Sequence, residues 1–413
     1  MKKILALLLC ACLFSACQKE NGEEPDSPIV PDNSITILSY LIANNNLNDE
    51  LKENIAIMYD GLAAMKEKAT LLIYWDGKST IGANEASHVI LEYKTDGKGK
   101  INGRKALDIT SSVNDVLNEA KIVKEYPSQV STTKEVMSQV IGDMIAASTT
   151  TKFGLVFGSH GSSWLNTITT SRALGYDGAI DNSITLNDIT EALESVDQKF
   201  EFILFDACYM GTTEVCYSFK DLADYQIVSA LEVPAYGFPY DYFLKYLYQG
   251  TVSGYEQVCQ TYIDFYKEIC QSGDIGWGTV ALIDSKEVQS LTDAIREEVI
   301  EHKETLANYN PTKLQNYGRN SGPYIAYDLG HLMKDLNEGT IPPAFNEQLE
   351  KTVIYKGCLE NANPSTYKVD ESNYSGLGIY IPVSARPKWN TYFKTLDWFT
   401  ASGWNEVTFS WEF

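Results

Sequence analysis

"FGLVFGSHGSSW" spans Phe153–Trp164 and reads as a buried strand that stops on a histidine with a glycine directly after it. "KFEFILFDAC", Lys199–Cys208, is a second apolar run of the same kind and stops on a cysteine. Between them "SITLNDITEALESV", Ser183–Val196, has helical spacing with Asn187 or Asp188 near its cap. Short β-branched runs alternating with longer helical patterns are how a mostly parallel α/β sheet reads. The same alternation extends outward. Strands are expected at Ser34–Ile42, Ala69–Gly77, Ala86–Lys94 (nearer an edge) and Tyr225–Glu232. Helices are expected at Leu47–Met65 and at Ser131–Ser148, which opens with a capping-box-like Ser131, Thr132, Thr133 and Glu135. Beyond Pro239 the pattern turns helical, with one late strand at Ser375–Val383.

The 413 residues, 44% of them hydrophobic, suffice for a sizeable core, and the 26 tyrosines and 7 tryptophans are read as filling it. With 33 basic against 55 acidic residues the formal charge is −22, which repels phosphate backbones and excludes nucleic acid as a partner. The N-terminus carries Lys2 and Lys3, an apolar run from Ile4 to Phe14, then Ser15 and Ala16 before Cys17. That is a secretory signal of residues 1–16, too short to span a bilayer, with Cys17 as the acylation point of a bacterial lipoprotein; a plain cleaved signal is the alternative. A polar, acidic tether follows over residues 17–33, then a catalytic domain over 34–240 and a C-terminal subdomain over 241–413 packed on it. The implied location is the cell envelope, anchored by lipid to the outer membrane on its periplasmic or outer face, or secretion. The thiols remaining beyond Cys17 are Cys208, Cys216, Cys259, Cys270 and Cys358. An odd set without C-x-x-C spacing is neither a disulfide framework nor a zinc site.

In a parallel sheet, ligands bind beyond the carboxyl ends of the strands, where His160 and Cys208 both fall. A thiol is a weak nucleophile at its ordinary pKa of about 8.5, and an adjacent imidazole activates it and later protonates the leaving amine. His160 is therefore the candidate general acid/base and Cys208 the candidate nucleophile. Gly161 lets the chain turn and brings its N–H towards a bound carbonyl, to form an oxyanion hole with the N–H of Cys208. Ser162 or Ser163 as nucleophile is a poorer reading, because residues so close to His160 on one turn rarely face it and no G-x-S-x-G elbow is present.

"FGSHGSSW", "RALGYD", "FILFDACYMGTTEVCYSFKDLADYQIVSALEVPAYGFPY", "YDLGHL" and "SGLGIYIP" together resemble the clostripain family of cysteine peptidases, in the clan of caspases, gingipains and legumain. The resemblance runs from about Ser34 to the C-terminus and implies a caspase-like α/β fold. It implies a Cys–His dyad of Cys208 and His160 with Gly161 at the oxyanion, acting as an endopeptidase that cuts after Arg or Lys. The early "DN" pair of the family is replaced here by "ANNNLND". A basic side chain at the cleavage point calls for a carboxylate in the pocket. Asp206 sits where the family places one, a helix cap being its alternative role, and Glu232 is the second candidate. The family's maturation cut implies self-cleavage at Arg172–Ala173. No cofactor is expected; calcium, on which some relatives depend, would draw on Asp177, Asp181 and Asp188, whose spacing fits no EF-hand. Partners are then basic protein or peptide substrates, with the chain a monomer. The competing function class is a surface binding protein that keeps the fold without turnover.

Overall fold

The His160 run forms the strand Thr150–Gly158 and the Cys208 run the strand Phe200–Asp206, and the two pair in parallel near the middle of a sheet that has eleven strands among the described residues. The computed structural model describes residues 32–81, 86–165, 174–179, 181–272, 277–318, 324–359 and 369–411. Five neighbouring strands run parallel: Ala223–Val228, Phe200–Asp206, Thr150–Gly158, Asp32–Ala43 and Ala69–Ile81. On one side the sheet continues through antiparallel Thr279–Asp284 and Val353–Cys358. On the other it continues through antiparallel Ala86–Thr95, which pairs in turn with Lys100–Ile101 and Lys121–Glu125. Ala86–Thr95 thus lies nearer an edge than the strands carrying His160 and Cys208, as expected, with only short strands beyond it.

Alternate residues of the central strands feed two cores. Leu38, Tyr40 and Ile42 join the layer of helices Lys134–Ala146, Leu186–Ser195 and Val288–Glu301. Ile37, Leu41 and Ala43 join the opposite layer of Asn48–Ala63, Tyr240–Leu247 and Val252–Ser272. Period-two alternation with both faces covered explains why the strands read as unbroken apolar runs. Trp75, Trp164, Trp398 and Trp404 are fully buried, so the aromatics fill the core, each large side chain contributing about 1.5–3 kcal/mol.

The segment beyond residue 240 is not folded apart. It supplies two strands of the same sheet, and Asp32–Phe413 forms one compact unit. Two helix caps are fixed more closely, and one expected strand shortens. The helix Leu186–Ser195 is capped by Thr185, whose hydroxyl accepts from Asp188 N–H. The helix Lys134–Ala146 is capped by Thr133. The late strand shrinks to Gly378–Ile379, paired with Tyr327–Asp328 and not with the main sheet. Among the described residues no helix is long and apolar enough to cross a membrane.

Candidate active site

The parallel register aligns Gly158 with Asp206, so His160 and Cys208, each two residues further on, leave the sheet side by side. Both line one cavity of about 520 Å³, together with Gly161, Asp206 and Glu232. All five residues singled out in the sequence for catalysis and specificity therefore converge on a single cleft.

Gly161 presses on the cysteine backbone. A Cβ there would lie 2.3 Å from the Cys208 carbonyl oxygen and 2.8 Å from its nitrogen, so no side chain fits. Close approach, rather than a left-handed turn, is what requires glycine at this point. The adjacent β-bridge places its hydrogen bond on the His160 carbonyl, which accepts from Gly175 N–H at 2.7 Å. Directly after Cys208 the chain turns through Tyr209 at φ 62°, a costly conformation for a bulky residue. It is held there by Tyr209 N–H to Leu231 carbonyl at 3.1 Å and by the phenol donating to Glu232 Oε1 at 2.8 Å.

His160 is half-buried and oriented by residues that the sequence reading did not single out. Its Nε2 lies 2.9 Å from Asn46 Oδ1, and its ring stacks on Tyr176 with centroids 5.5 Å apart. Tyr176 also donates its hydroxyl to Asn46 Oδ1 at 2.9 Å. Asn46 lies in the "ANNNLND" departure, so that stretch touches the histidine. Its neighbour Asn45 braces the same turn by donating to the carbonyls of Ile42 and Tyr176.

Asp206 is buried at the cavity wall. Its Oδ2 accepts from Tyr240 hydroxyl at 2.9 Å, Phe238 N–H at 3.2 Å and Asn54 Nδ2 at 3.3 Å. These partners replace the helix-cap role, since the next helix, Thr213–Phe219, begins after Thr212. Burial pushes Asp206 up to about 6, against the pull of the Tyr240 and Phe238 hydrogen bonds. Gly237 lets the loop close over it: its φ is +76°, and a Cβ would meet Asp206 Oδ2 at 2.7 Å. Glu232 stands in the loop after Ala223–Val228, not on the strand, and its carboxylate serves Tyr209 as well as the cavity.

Asp177 and Asp188 do not line this cleft. Arg172, Ala173 and Cys17 lie outside the described residues. Asp188 engages the Thr185 hydroxyl in a helix cap, while Asp177 is buried against Asp76 and His88, so the set Asp177, Asp181 and Asp188 is not assembled. Burial, and behind it the charge of Asp177, pushes Asp76 up to about 8, opposed by the Ser131 hydroxyl. None of the five described cysteines is in a disulfide. Burial raises the Cys216 and Cys259 thiols, leaving them poor nucleophiles, whereas Cys208 reaches the cleft.

The clostripain family model matches residues 39–411, and the chain belongs to this family of cysteine peptidases. Solved structures agree. A secreted C11 cysteine protease from Bacteroides thetaiotaomicron, in complex with an irreversible peptide inhibitor, is 25% identical with a TM-score of 0.72, covering 91% of this chain and 100% of its own. An inactive zymogen C11 protease from Parabacteroides distasonis is 25% identical with a TM-score of 0.71, covering 90% and 99%. No curated protein matches the chain. The caspase-like α/β expectation is met by this fold, and membership of a peptidase family sets aside the binding-protein reading.

Proposed function

We propose that the protein is an envelope endopeptidase that cleaves after Arg or Lys through a Cys208–His160 dyad. The observation that carries this reading is the convergence of His160, Gly161, Cys208 and the buried carboxylate of Asp206 on one cavity. With Nε2–H donated to Asn46 Oδ1, the other ring nitrogen of His160 is the base. It takes the Cys208 thiol proton, and the thiolate attacks the scissile carbonyl. The N–H groups of Gly161 and Cys208 hold the oxyanion. Collapse breaks the C–N bond, His160 returns the proton to the leaving amine, and a thioester remains. Water, deprotonated by His160, then releases the acid and restores the thiol.

Asp206 receives the cationic side chain before the cut bond, with Glu232 at the rim. A guanidinium or ammonium beside a dehydrated carboxylate is a strong pairing, and it draws the raised Asp206 back to its charged form. The signal and Cys17 support export and lipid anchoring at the outer membrane, in keeping with the relative described as secreted. Self-cleavage at Arg172–Ala173 would account for a latent precursor, the state in which the Parabacteroides relative was solved. The test is hydrolysis of short peptides ending in Arg, Lys or norleucine. The wild type should prefer the basic peptides, and Cys208→Ala and His160→Ala should each fall to background. Full activity in either variant would refute the dyad.

A further inference from the structure

Away from the cleft, three metal-ligating side chains are buried against one another where the strand Ala69–Ile81 meets Ala86–Thr95. Asp76 and His88 are directly paired residues of these antiparallel strands, so their side chains leave the same face. Asp177 reaches them from the turn after Leu174–Tyr176. One ligand atom from each residue lies within 4.8 Å of the others, and Asp76, His88 and Asp177 are only 0%, 7% and 4% exposed. Neither carboxylate oxygen of Asp76 nor Nε2 of His88 meets a partner in hydrogen-bond geometry; the Ser131 hydroxyl stands near enough to favour the Asp76 charge but is itself bonded to Tyr74. The approach of Nε2 to Asp76 Oδ1, at 3.3 Å, lacks hydrogen-bond geometry. Burying polar atoms without partners is costly unless something else binds them.

The surroundings set these groups up as ligands. Ser87 Oγ stands 2.9 Å from His88 Nδ1, positioned to accept a hydrogen bond from Nδ1–H and leave the Nε2 lone pair pointing inward. Asp177 is fixed by Asn44 Nδ2 on Oδ1 and Ser131 N–H on Oδ2, both at 2.7 Å, and each oxygen keeps a lone pair. Such outer partners are how proteins orient metal ligands. We infer that Asp76, His88 and Asp177 form a buried divalent-cation site that takes Zn²⁺. One imidazole with two carboxylates suits this borderline ion, and two negative charges balance its two positive ones. Ca²⁺, which takes six to eight oxygens, fits the set poorly.

The cation fastens two segments that also hold the cleft histidine. Asp177 directly follows Tyr176, which stacks on His160, and Asn44 stands two residues before Asn46, which contacts His160 Nε2. The site positions the cleft and touches no substrate, so it stands apart from the peptidase proposal.

The test uses the Cys208→Ala chain, in which the cleft thiol cannot capture zinc. The protein is stripped with EDTA, titrated calorimetrically with Zn²⁺ and, separately, Ca²⁺, and melted with each ion. The expected result is one Zn²⁺ per chain and a melting midpoint raised by about 5 °C at saturating metal, with little response to Ca²⁺. Both zinc effects should disappear on adding His88→Gln or Asp76→Asn. The parent titration decides the matter even where a variant fails to fold. Absence of zinc binding, a preference for Ca²⁺, or zinc binding undiminished in a folded His88→Gln chain would each overturn the site.

Discussion

Two places on the sheet carry imidazole and carboxylate side chains, and they are built in opposite ways. At the ends of Thr150–Gly158 and Phe200–Asp206, His160 and Cys208 are half-buried beside a cavity large enough for a side chain of substrate. Where Ala69–Ile81 pairs with Ala86–Thr95, Asp76, His88 and Asp177 are packed away from solvent. The same residue types therefore serve different chemistry. An open wall lets a thiol meet a peptide bond, and a closed one suits a group that stays bound. The loop 44–46 joins them, with Asn44 on Asp177 and Asn46 on His160.

The open end is the more sensitive of the two to substitution. Gly161→Ala puts a methyl group 2.3 Å from the Cys208 carbonyl oxygen, so the cysteine peptide must shift and carry the oxyanion donors with it. We expect kcat to fall by roughly 10²–10³-fold, the cost typical of one lost oxyanion donor, with the fold retained by circular dichroism. Unchanged kcat would remove Gly161 from the cleft chemistry.

A smaller effect sharpens the role of Asp206. Its pKa stands at about 6 because burial disfavours its charge. Above that value the carboxylate is ionised and attracts a cationic side chain; below it the group is neutral and the attraction is lost. The ratio of kcat/KM for an arginine peptide to that for a norleucine peptide should therefore drop about tenfold from pH 7 to pH 5, since kcat/KM reports the free enzyme. Taking the ratio removes the titration of the dyad, which both substrates share. A ratio flat across this range would make Asp206 purely structural.

The cleft was legible in sequence because both of its chemical residues end apolar runs, and parallel strands deliver such ends to one edge. Asp206 was legible through its place two residues before Cys208. Asn46 and Tyr176 were not, since their contact depends on how two loops fold over His160 and neither stretch has a periodic pattern. Gly161 reads in sequence as turning freedom, whereas close approach of the Cys208 backbone is what requires it, and such an approach leaves no local trace. Asp76 and His88 are twelve residues apart in chain order, and only the register of two antiparallel strands sets them opposite. The run Ser375–Val383 read as a strand because it is apolar. Its Leu377, Ile379, Tyr380 and Ile381 are buried, yet only two residues pair, and an apolar run does not by itself distinguish pairing from packing.

The central claim is that Cys208 is a nucleophile activated by His160 and aimed at a carbonyl whose neighbour is basic. Reaction with an arginine-derived acyloxymethyl ketone, read by peptide mapping, tests it most directly. The wild type should carry a single adduct on Cys208, His160→Ala little or none, and the norleucine analogue should label more slowly. A folded wild-type protein that leaves Cys208 unmodified, or one labelled equally fast after His160→Ala, would contradict it.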